Sequence, residues 1–159
     1  MAKMTRGVQV LERAGVTFTL HPYELDRDEH DSYGEAVAAV LGVAPERLFK
    51  TLLAAVDGNP VVAIVPVAAR LSTKALARAA GGKKAEMIAP ADAERLTGYV
   101  TGGISPFGQK KRLPVFVDDS IIVHETIYCS AGQRGLQVEL APQDLLDLLA
   151  AKTAALGEN

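Results

Sequence analysis

Polar and apolar positions along the chain switch repeatedly between a helical and a strand period. Thr5 stands where a helix N-cap belongs, Val8 and Leu11 follow at helical spacing, and Gly15 supplies a stop. From Val16 to Leu20 the period drops to two, with Val16, Phe18 and Leu20 on one face and Thr17 and Thr19 on the other, which predicts a strand. Ser32 followed by Glu35 forms a capping box, opening a helix that runs to Leu41 and stops at Gly42. The clearest local signal comes next. Two apolar runs, Phe49 to Val56 and Pro60 to Val65, flank Asp57-Gly58-Asn59 and predict a β-hairpin.

Further on, Ser72 caps a helix to Ala80 that Gly81-Gly82 breaks, and Pro90 suits the first turn of a short helix, Ala91 to Leu96, stopped by Gly98. Pro114 to Val117, Thr126 to Ser130 and Leu136 to Leu140 read as strands, the last two joined by a turn at Gly132-Gln133-Arg134-Gly135. Ala141-Pro142 starts a closing helix with Leu145, Leu146, Leu148 and Leu149 on its apolar side. Hairpins outnumber strand–helix–strand crossovers, so the expected class is α+β, a mixed sheet with helices packed around it. With no repeat, low-complexity tract or long linker, residues 1–159 are expected to form one domain, large enough to bury roughly 70% of the unfolded chain's surface.

Composition narrows the possibilities. Hydrophobic residues make up 48% of the 159 positions but aromatics only 5%, with no Trp, so the core must be built chiefly from Ala, Val, Leu and Ile. A net charge of −2 argues against a protein whose whole surface binds nucleic acid, and DNA is not an expected partner; a local basic patch stays open. The single cysteine, Cys129, cannot form an internal disulfide, and nothing has zinc-ligand spacing. Residues Met1 to Arg13 lack the apolar core of a signal peptide. The most apolar segment, Val61 to Ala69, is interrupted by Pro66 and falls short of the roughly 18 residues that span a bilayer. A cytoplasmic protein without membrane partners is expected.

Common catalytic signatures are missing: no Gly-x-Ser-x-Gly elbow, phosphate-binding loop, dinucleotide fingerprint or His-Glu-x-x-His pair. His21, His30 and His124 lie far apart and share no ligand spacing, so no metal or cofactor is expected. Cys129, in an apolar strand, reads as an inert small hydrophobe rather than a nucleophile. The unusual segment is Gly98-Tyr99-Val100-Thr101-Gly102-Gly103-Ile104-Ser105-Pro106-Phe107-Gly108. Its glycines allow a tight structural turn, or bare N–H groups that hold a carbonyl oxygen. Gln109-Lys110-Lys111-Arg112 follows, either a solvated turn or a set of phosphate contacts. Lys50, inside the apolar run Leu48-Phe49-Lys50-Thr51-Leu52-Leu53, either lines a cleft or emerges at a sheet edge.

These residues also carry a resemblance. Phe49-Lys50-Thr51-Leu52-Leu53, the run from Thr97-Gly98-Tyr99 through Gly102-Gly103-Ile104-Ser105-Pro106 to Gly108-Gln109-Lys110-Lys111-Arg112-Leu113-Pro114, and Ile127-Tyr128 with Arg134-Gly135-Leu136 closely resemble the YbaK family of Cys-tRNA(Pro) deacylases. That family is related to the editing domain of bacterial prolyl-tRNA synthetases, and the likeness extends from Val10 to the closing helix. It implies a mixed, largely antiparallel, barrel-like sheet surrounded by helices, and trans-editing of mischarged tRNA(Pro) without a cofactor, with prolyl-tRNA synthetase a candidate partner. By residue-for-residue match it implies Lys50, Gly102 and Gly103 as the catalytic set. Tyr23, Ile104, Ser105, Ser130 and Gln137 would contact the substrate, and Lys110, Lys111 and Arg112 the tRNA. Gln137 is a departure, because the family tends to carry aspartate there.

The implied chemistry agrees with the missing signatures. An aminoacyl ester is already activated, so positioning and carbonyl polarisation suffice. In the family reading the thiol of a cysteinyl substrate attacks its own ester, with Lys50 orienting the tRNA end and the Gly102-Gly103 backbone polarising the carbonyl. Two alternatives stay open: a water-dependent Ala-tRNA(Pro) deacylase, and a non-catalytic module that binds tRNA or a synthetase. The basic run yields a direct test. Neutralising two of Lys110, Lys111 and Arg112 weakens tRNA binding and flattens the log–log salt dependence by about 0.7–0.9 per lost phosphate contact. An unchanged slope in a filter-binding titration returns the run to a solvated turn.

Overall fold

The computed structural model describes residues 4–25 and 33–158. In chain order the first elements are α1 (Arg6–Ala14), β1 (Phe18–Pro22), α2 (Tyr33–Leu41), β2 (Phe49–Val56), β3 (Asn59–Pro66), β4 (Arg70–Leu71) and α3 (Thr73–Ala79). There follow β5 (Ala85–Met87), α4 (Pro90–Thr97), β6 (Val115–Asp118), a 3₁₀ turn (Asp119–Val123), β7 (Ile127–Gln133), β8 (Leu136–Leu140), α5 (Pro142–Leu149), β9 (Lys152–Ala154) and β10 (Gly157–Glu158).

Local chemistry accounts for several boundaries. Thr5 Oγ1 accepts the Val8 N–H at 3.1 Å and starts α1, and left-handed Gly15 ends it. Ser72 Oγ does the same for Ala75 N–H in α3. The hairpin closes as its Asp-Gly pair requires: Val56 faces Asn59 across Asp57 and Gly58, both with positive φ. The capping serine expected for α2, Ser32, lies outside the described residues, as does His30.

The strands form a five-stranded sheet in the order β5-β2-β3-β6-β9, a three-stranded sheet β1-β8-β7, and the pair β10-β4. Pairing is antiparallel except where β6 runs parallel to both β3 and β9. The expected mixed, largely antiparallel sheet is therefore observed, with helices around it. The two larger sheets meet at a parallel bridge, Leu48 to Tyr128, where Tyr128 N–H donates to the Arg47 carbonyl at 2.9 Å. Between them lies the main core. Phe49, Leu53, Val62, Ile64, Val115 and Val117 meet Ile127, Cys129, Leu136, Val138 and Leu140, with Leu11 of α1 and Leu145 of α5 closing the ends. The other face of the five-stranded sheet buries Ala54, Val56, Val61, Ala63 and Val65 against Leu76 and Ala77 of α3. Full burial of each large aliphatic or Phe side chain contributes about 1.5–3 kcal/mol. A third cluster joins Val37 and Ala38 of α2 to Tyr23, Leu48, Val67 and Tyr128, so α2 covers the seam between the sheets.

Three elements differ from the patterned expectation. β1 starts at Phe18 rather than Val16, because its register is set by β8, from Phe18 against Leu140 to Pro22 against Leu136. β7 runs to Gln133 through a bulge after Ser130, which shortens the expected four-residue turn to Arg134-Gly135. α5 does not close the fold: β9 and β10 follow it and complete sheet edges, too short to show any period of their own.

That final segment is fastened by Asp118. Its Oδ1 accepts the Leu156 and Gly157 N–H groups at 2.8 and 2.7 Å, and its Oδ2 accepts Ser120 Oγ–H and N–H at 2.5 and 3.2 Å. Burial by itself would raise the Asp118 carboxyl pKa, but these hydrogen bonds together hold it below the usual value. Asp118→Ala strands the buried Leu156 amide, removes the acceptor of the more exposed Gly157 amide, and is expected to cost about 1–3 kcal/mol in denaturant unfolding. A depressed folded pKa means that the carboxylate's contribution is complete above the unfolded pKa of about 3.9 and disappears as pH falls through the folded one. The stability gap between wild type and Asp118→Ala is therefore flat above about pH 5 and narrows below pH 4.

Candidate functional site

A cavity of about 340 Å³ opens beside the seam. Tyr33, Gly34 and Val37 of α2 form one wall; Leu48 to Leu53 and Val67 form another. Met87, Ile88, Pro90 and Ala93 form the approach to α4, and Thr101, Gly102 and Ile104 come from the glycine-rich loop. Ser130 of β7 and Gln137 of β8, cross-strand partners, complete the lining. Most of this surface is apolar, so each polar group on it is conspicuous.

Lys50 is one of them. It sits on β2 opposite Val65, half-buried, and borders the cavity, which settles the choice left open by its sequence context in favour of a cleft wall. Burial pulls its pKa below the ordinary lysine value; the charge of Glu35 on α2 opposes this and that of Arg70 adds to it. Two more polar atoms stand out. Thr51 Oγ1 and Gln137 Oε1 are buried with no hydrogen-bond partner among the described residues, and both residues line the cavity. Leaving such an atom unsatisfied costs about 1–3 kcal/mol, so two of them in one cavity mark a place where a ligand supplies hydrogen bonds.

The glycine-rich loop contributes backbone. Gly103 N–H closes a turn on the Val100 carbonyl at 2.9 Å, and Thr101 N–H donates to Glu94 Oε2 at 2.7 Å. Neither the Gly102 N–H nor the Ile104 N–H, both from cavity-lining residues, is engaged by a hydrogen bond among the described residues. Gly102 has φ +91°, a conformation that a side chain would strain. A free amide on such a loop at a cavity wall can serve as a carbonyl-polarising donor, and Gly102, with no side chain to screen it, offers the more open one.

The residues suggested by the sequence separate into groups. Lys50, Gly102, Ile104, Ser130 and Gln137 all border the cavity. Gly103 is buried behind it, against Gln133 and Arg134. Tyr23 is also buried, but its hydroxyl lies 3.1 Å from that of the cavity residue Tyr33. Ser105 is placed elsewhere. Its side chain is wholly buried in its own turn, where Oγ accepts the Phe107 N–H at 3.1 Å, and it does not border the cavity. Lys110, Lys111 and Arg112 are exposed and stay outside the cavity. Lys110 and Lys111 hydrogen-bond through their amides to the end of α4, a few residues from the loop. Thr51 was not among the expected site residues; in sequence it is one more β-branched strand position. Cys129 is fully buried, its thiol pushed up to about 12 by desolvation.

Behind Gln137 a polar network braces the seam. Glu139 accepts from Thr126 Oγ1 at 2.5 Å and contacts His21 Nε2 at 2.8 Å, while Arg47 donates to Thr126 and lies over the Tyr128 ring, 5.2 Å from its centroid. The Thr126 hydrogen bond, foremost, holds the Glu139 carboxyl below its usual pKa against the effect of burial.

Comparison with known proteins gives a consistent picture. Residues 28–148 match the model of the aminoacyl-tRNA editing domain. The chain is 40% identical over 147 residues, 91% of its length and 87% of the other's, to EbsC of Enterococcus faecalis, provisionally named a Cys-tRNA(Pro)/Cys-tRNA(Cys) deacylase. It is 28% identical over 153 residues, 92% of each chain, to the multifunctional Ser/Thr-tRNA deacylase ProXp-y of Escherichia coli. A crystal structure provisionally described as a trans-editing enzyme for prolyl tRNA synthetase superposes with a TM-score of 0.85, covering 100% of this chain and 99% of the other, at 22% identity, which is evidence for the fold.

The environment of Lys50 is testable without any substrate. In lysine side-chain NMR titrations, Lys50 is expected to lose its proton at lower pH than exposed lysines. Lys50→Ala is expected to change folding stability by less than about 1 kcal/mol. The sign follows from the lowered pKa: below it the folded state carries a partly desolvated charge, so removing that charge offsets the lost packing of the side-chain stem.

Proposed function

This chain belongs to the aminoacyl-tRNA editing domain family, and we propose that it removes cysteine from mischarged Cys-tRNA(Pro) in trans. The observation that carries this reading is the cavity: one lysine, free loop amides and two unpartnered polar atoms on an apolar wall, with no activated nucleophile beside them among the described residues. That equipment suits a reaction whose electrophile is already activated and whose nucleophile arrives with the substrate.

Lys50 receives the ribose or phosphate of the terminal adenosine and fixes the ester. The Gly102 N–H polarises the ester carbonyl. The substrate sulfur bonds to the carbonyl carbon, the bond from that carbon to the ribose oxygen breaks, and the thiol proton passes to the departing oxygen. Free tRNA and a cyclic thioester result. Gln137 Oε1 accepts from the substrate's ammonium or thiol, and Thr51 Oγ1 lies available on the same lining. Lys110, Lys111 and Arg112, exposed outside the cavity on the segment that follows the loop, take tRNA phosphates, and the low net charge leaves tRNA selection to prolyl-tRNA synthetase.

A second reading has its own support. Unpartnered oxygens suit a hydroxyl as well as a thiol, and a site that hydrogen-bonds a substrate hydroxyl rejects analogues lacking one by large factors. Seryl or threonyl esters are therefore the competing substrates, and alanyl esters are poorly matched to this cavity.

Purified protein assayed on Cys-, Ser-, Thr- and Ala-tRNA(Pro) decides among them. Thiol attack predicts cysteinyl turnover at least about tenfold above seryl, since a hydroxyl near pH 7 is the weaker nucleophile. Equal rates overturn the thiol mechanism and favour water. Lys50→Ala abolishes turnover while folded, and Lys50→Arg restores little, because a planar guanidinium does not replace a compact ammonium. Cys129→Ala keeps activity within about threefold of wild type, since a buried thiol of such high pKa is no nucleophile.

A further inference from the structure

The loop carrying Gly102 is gripped from two sides at a single residue. Glu94 of α4 accepts the Thr101 N–H through Oε2 at 2.7 Å. From the tip of the β7–β8 hairpin, Arg134 donates its Nε–H to the Thr101 carbonyl at 2.9 Å. The same guanidinium lies against Gly102: a Cβ there would sit 2.6 Å from Nε and 3.3 Å from Cζ. Gly103 lies against hairpin backbone, where a Cβ would come within 2.8 Å of Arg134 N and Gln133 C. The loop therefore has no room to move toward the hairpin, and moving away breaks the Arg134 contact.

The two grips are complementary in charge. The Thr101 hydrogen bond, foremost, and the positive charge of Arg134 hold the Glu94 carboxyl below its usual pKa, so Glu94 is ionised and accepting throughout the neutral range. Neither Glu94 nor Arg134 borders the cavity. What they reach is Thr101, whose carbonyl shares a peptide unit with the free Gly102 N–H at the cavity wall.

We infer that Glu94 and Arg134 are positioning residues of the ester-cleaving site, acting through Thr101 to fix the Gly102 N–H where the carbonyl oxygen needs its donor. This rests on the deacylase reading above. A polarising donor is effective only if it is held in place before the reaction, and a displacement of about 1 Å can cost up to a hundredfold in rate.

The test uses the full-length protein and the best aminoacyl-tRNA found in the substrate panel, and measures kcat and KM separately for four variants. Arg134→Ala and Glu94→Ala are expected to lower kcat by about 10- to 100-fold with KM changed by less than about threefold. The conservative pair separates positioning from charge. Glu94→Gln keeps an acceptor oxygen and should retain most of kcat. Arg134→Lys keeps the charge but not the planar fork and should resemble Arg134→Ala. Amide exchange at Thr101, followed by NMR, should quicken in Glu94→Ala while the thermal midpoint holds.

Active wild type with all four variants within about threefold in kcat overturns the clamp. So does an Arg134→Lys enzyme at the wild-type rate, or a loss confined to KM that grows with salt, which makes Arg134 a phosphate contact. Wild-type protein that cleaves none of the esters instead removes the deacylase reading on which the clamp depends.

Discussion

The whole arrangement hangs on a short stretch of backbone at Arg47-Leu48. Arg47 offers its carbonyl to Tyr128 N–H at 2.9 Å, and Leu48 offers its own to Val67 N–H at 2.8 Å. The first bond couples the five-stranded and three-stranded sheets, and the second fixes the end of the β2–β3 ladder beside it. The Arg47 side chain reinforces the seam through Thr126 and the Tyr128 ring. Lys50 and Thr51 follow on one sheet, and Ser130 and Gln137 belong to the other. Their distances across the cavity are thus set by the seam, not by any contact among themselves. Because the seam is mostly main-chain bonding, its geometry tolerates side-chain change at the cavity, which suits a fold that hosts several substrate preferences.

The cavity departs from the general logic of the molecule. Among the described residues the other buried side-chain polar atoms are satisfied, as Asp118 is by four hydrogen bonds. Here Thr51 and Gln137 are left open and a lysine is partly desolvated. The destabilisation is held by a well-packed surround, and local strain of this kind is what a binding site stores for its ligand. The neutral side chain of Gln137, where the family resemblance implies aspartate, matters in this setting. A neutral amide removes a negative charge from a low-dielectric pocket, so discrimination by hydrogen-bond geometry takes the place of attraction for a cation.

Where chemistry was carried by local sequence, it was readable. The Asp57-Gly58 turn, the Thr5 and Ser72 caps and the glycine-rich loop all appear where the residues require them, since each answers to a neighbour a few positions away. Lys50 was readable as an anomaly, but its environment depended on α2 arriving over it. Ser105 shows the opposite case. A serine within a glycine-rich loop suggests a ligand contact, yet its hydroxyl is taken by Phe107 N–H two residues on, a local competition that the sequence alone does not reveal. Thr51 and Arg134 lay inside runs that carry the family resemblance but had no role of their own in the sequence. One gains meaning only from its missing partner and the other from a glycine thirty-two positions earlier. The strands β4, β5, β9 and β10 had no period to reveal them; each exists because a partner's edge was open.

The parallel placement of β6 has a consequence for how the molecule comes into being. The hairpin of β2 and β3 can form as soon as residue 66 has left the ribosome, but the edge of β3 waits for Val115–Val117 to cover Val62–Ile64. During that interval, on the order of seconds at cellular synthesis rates, an apolar and nearly uncharged ribbon stands with its hydrogen bonds unmet. β6 in turn waits for Lys152–Ala154 before its own outer edge is covered. The nascent chain therefore passes through two successive stages of exposed β-edge, and a chaperone that shields extended apolar segments would find its binding site here, on the emerging polypeptide rather than on the finished enzyme.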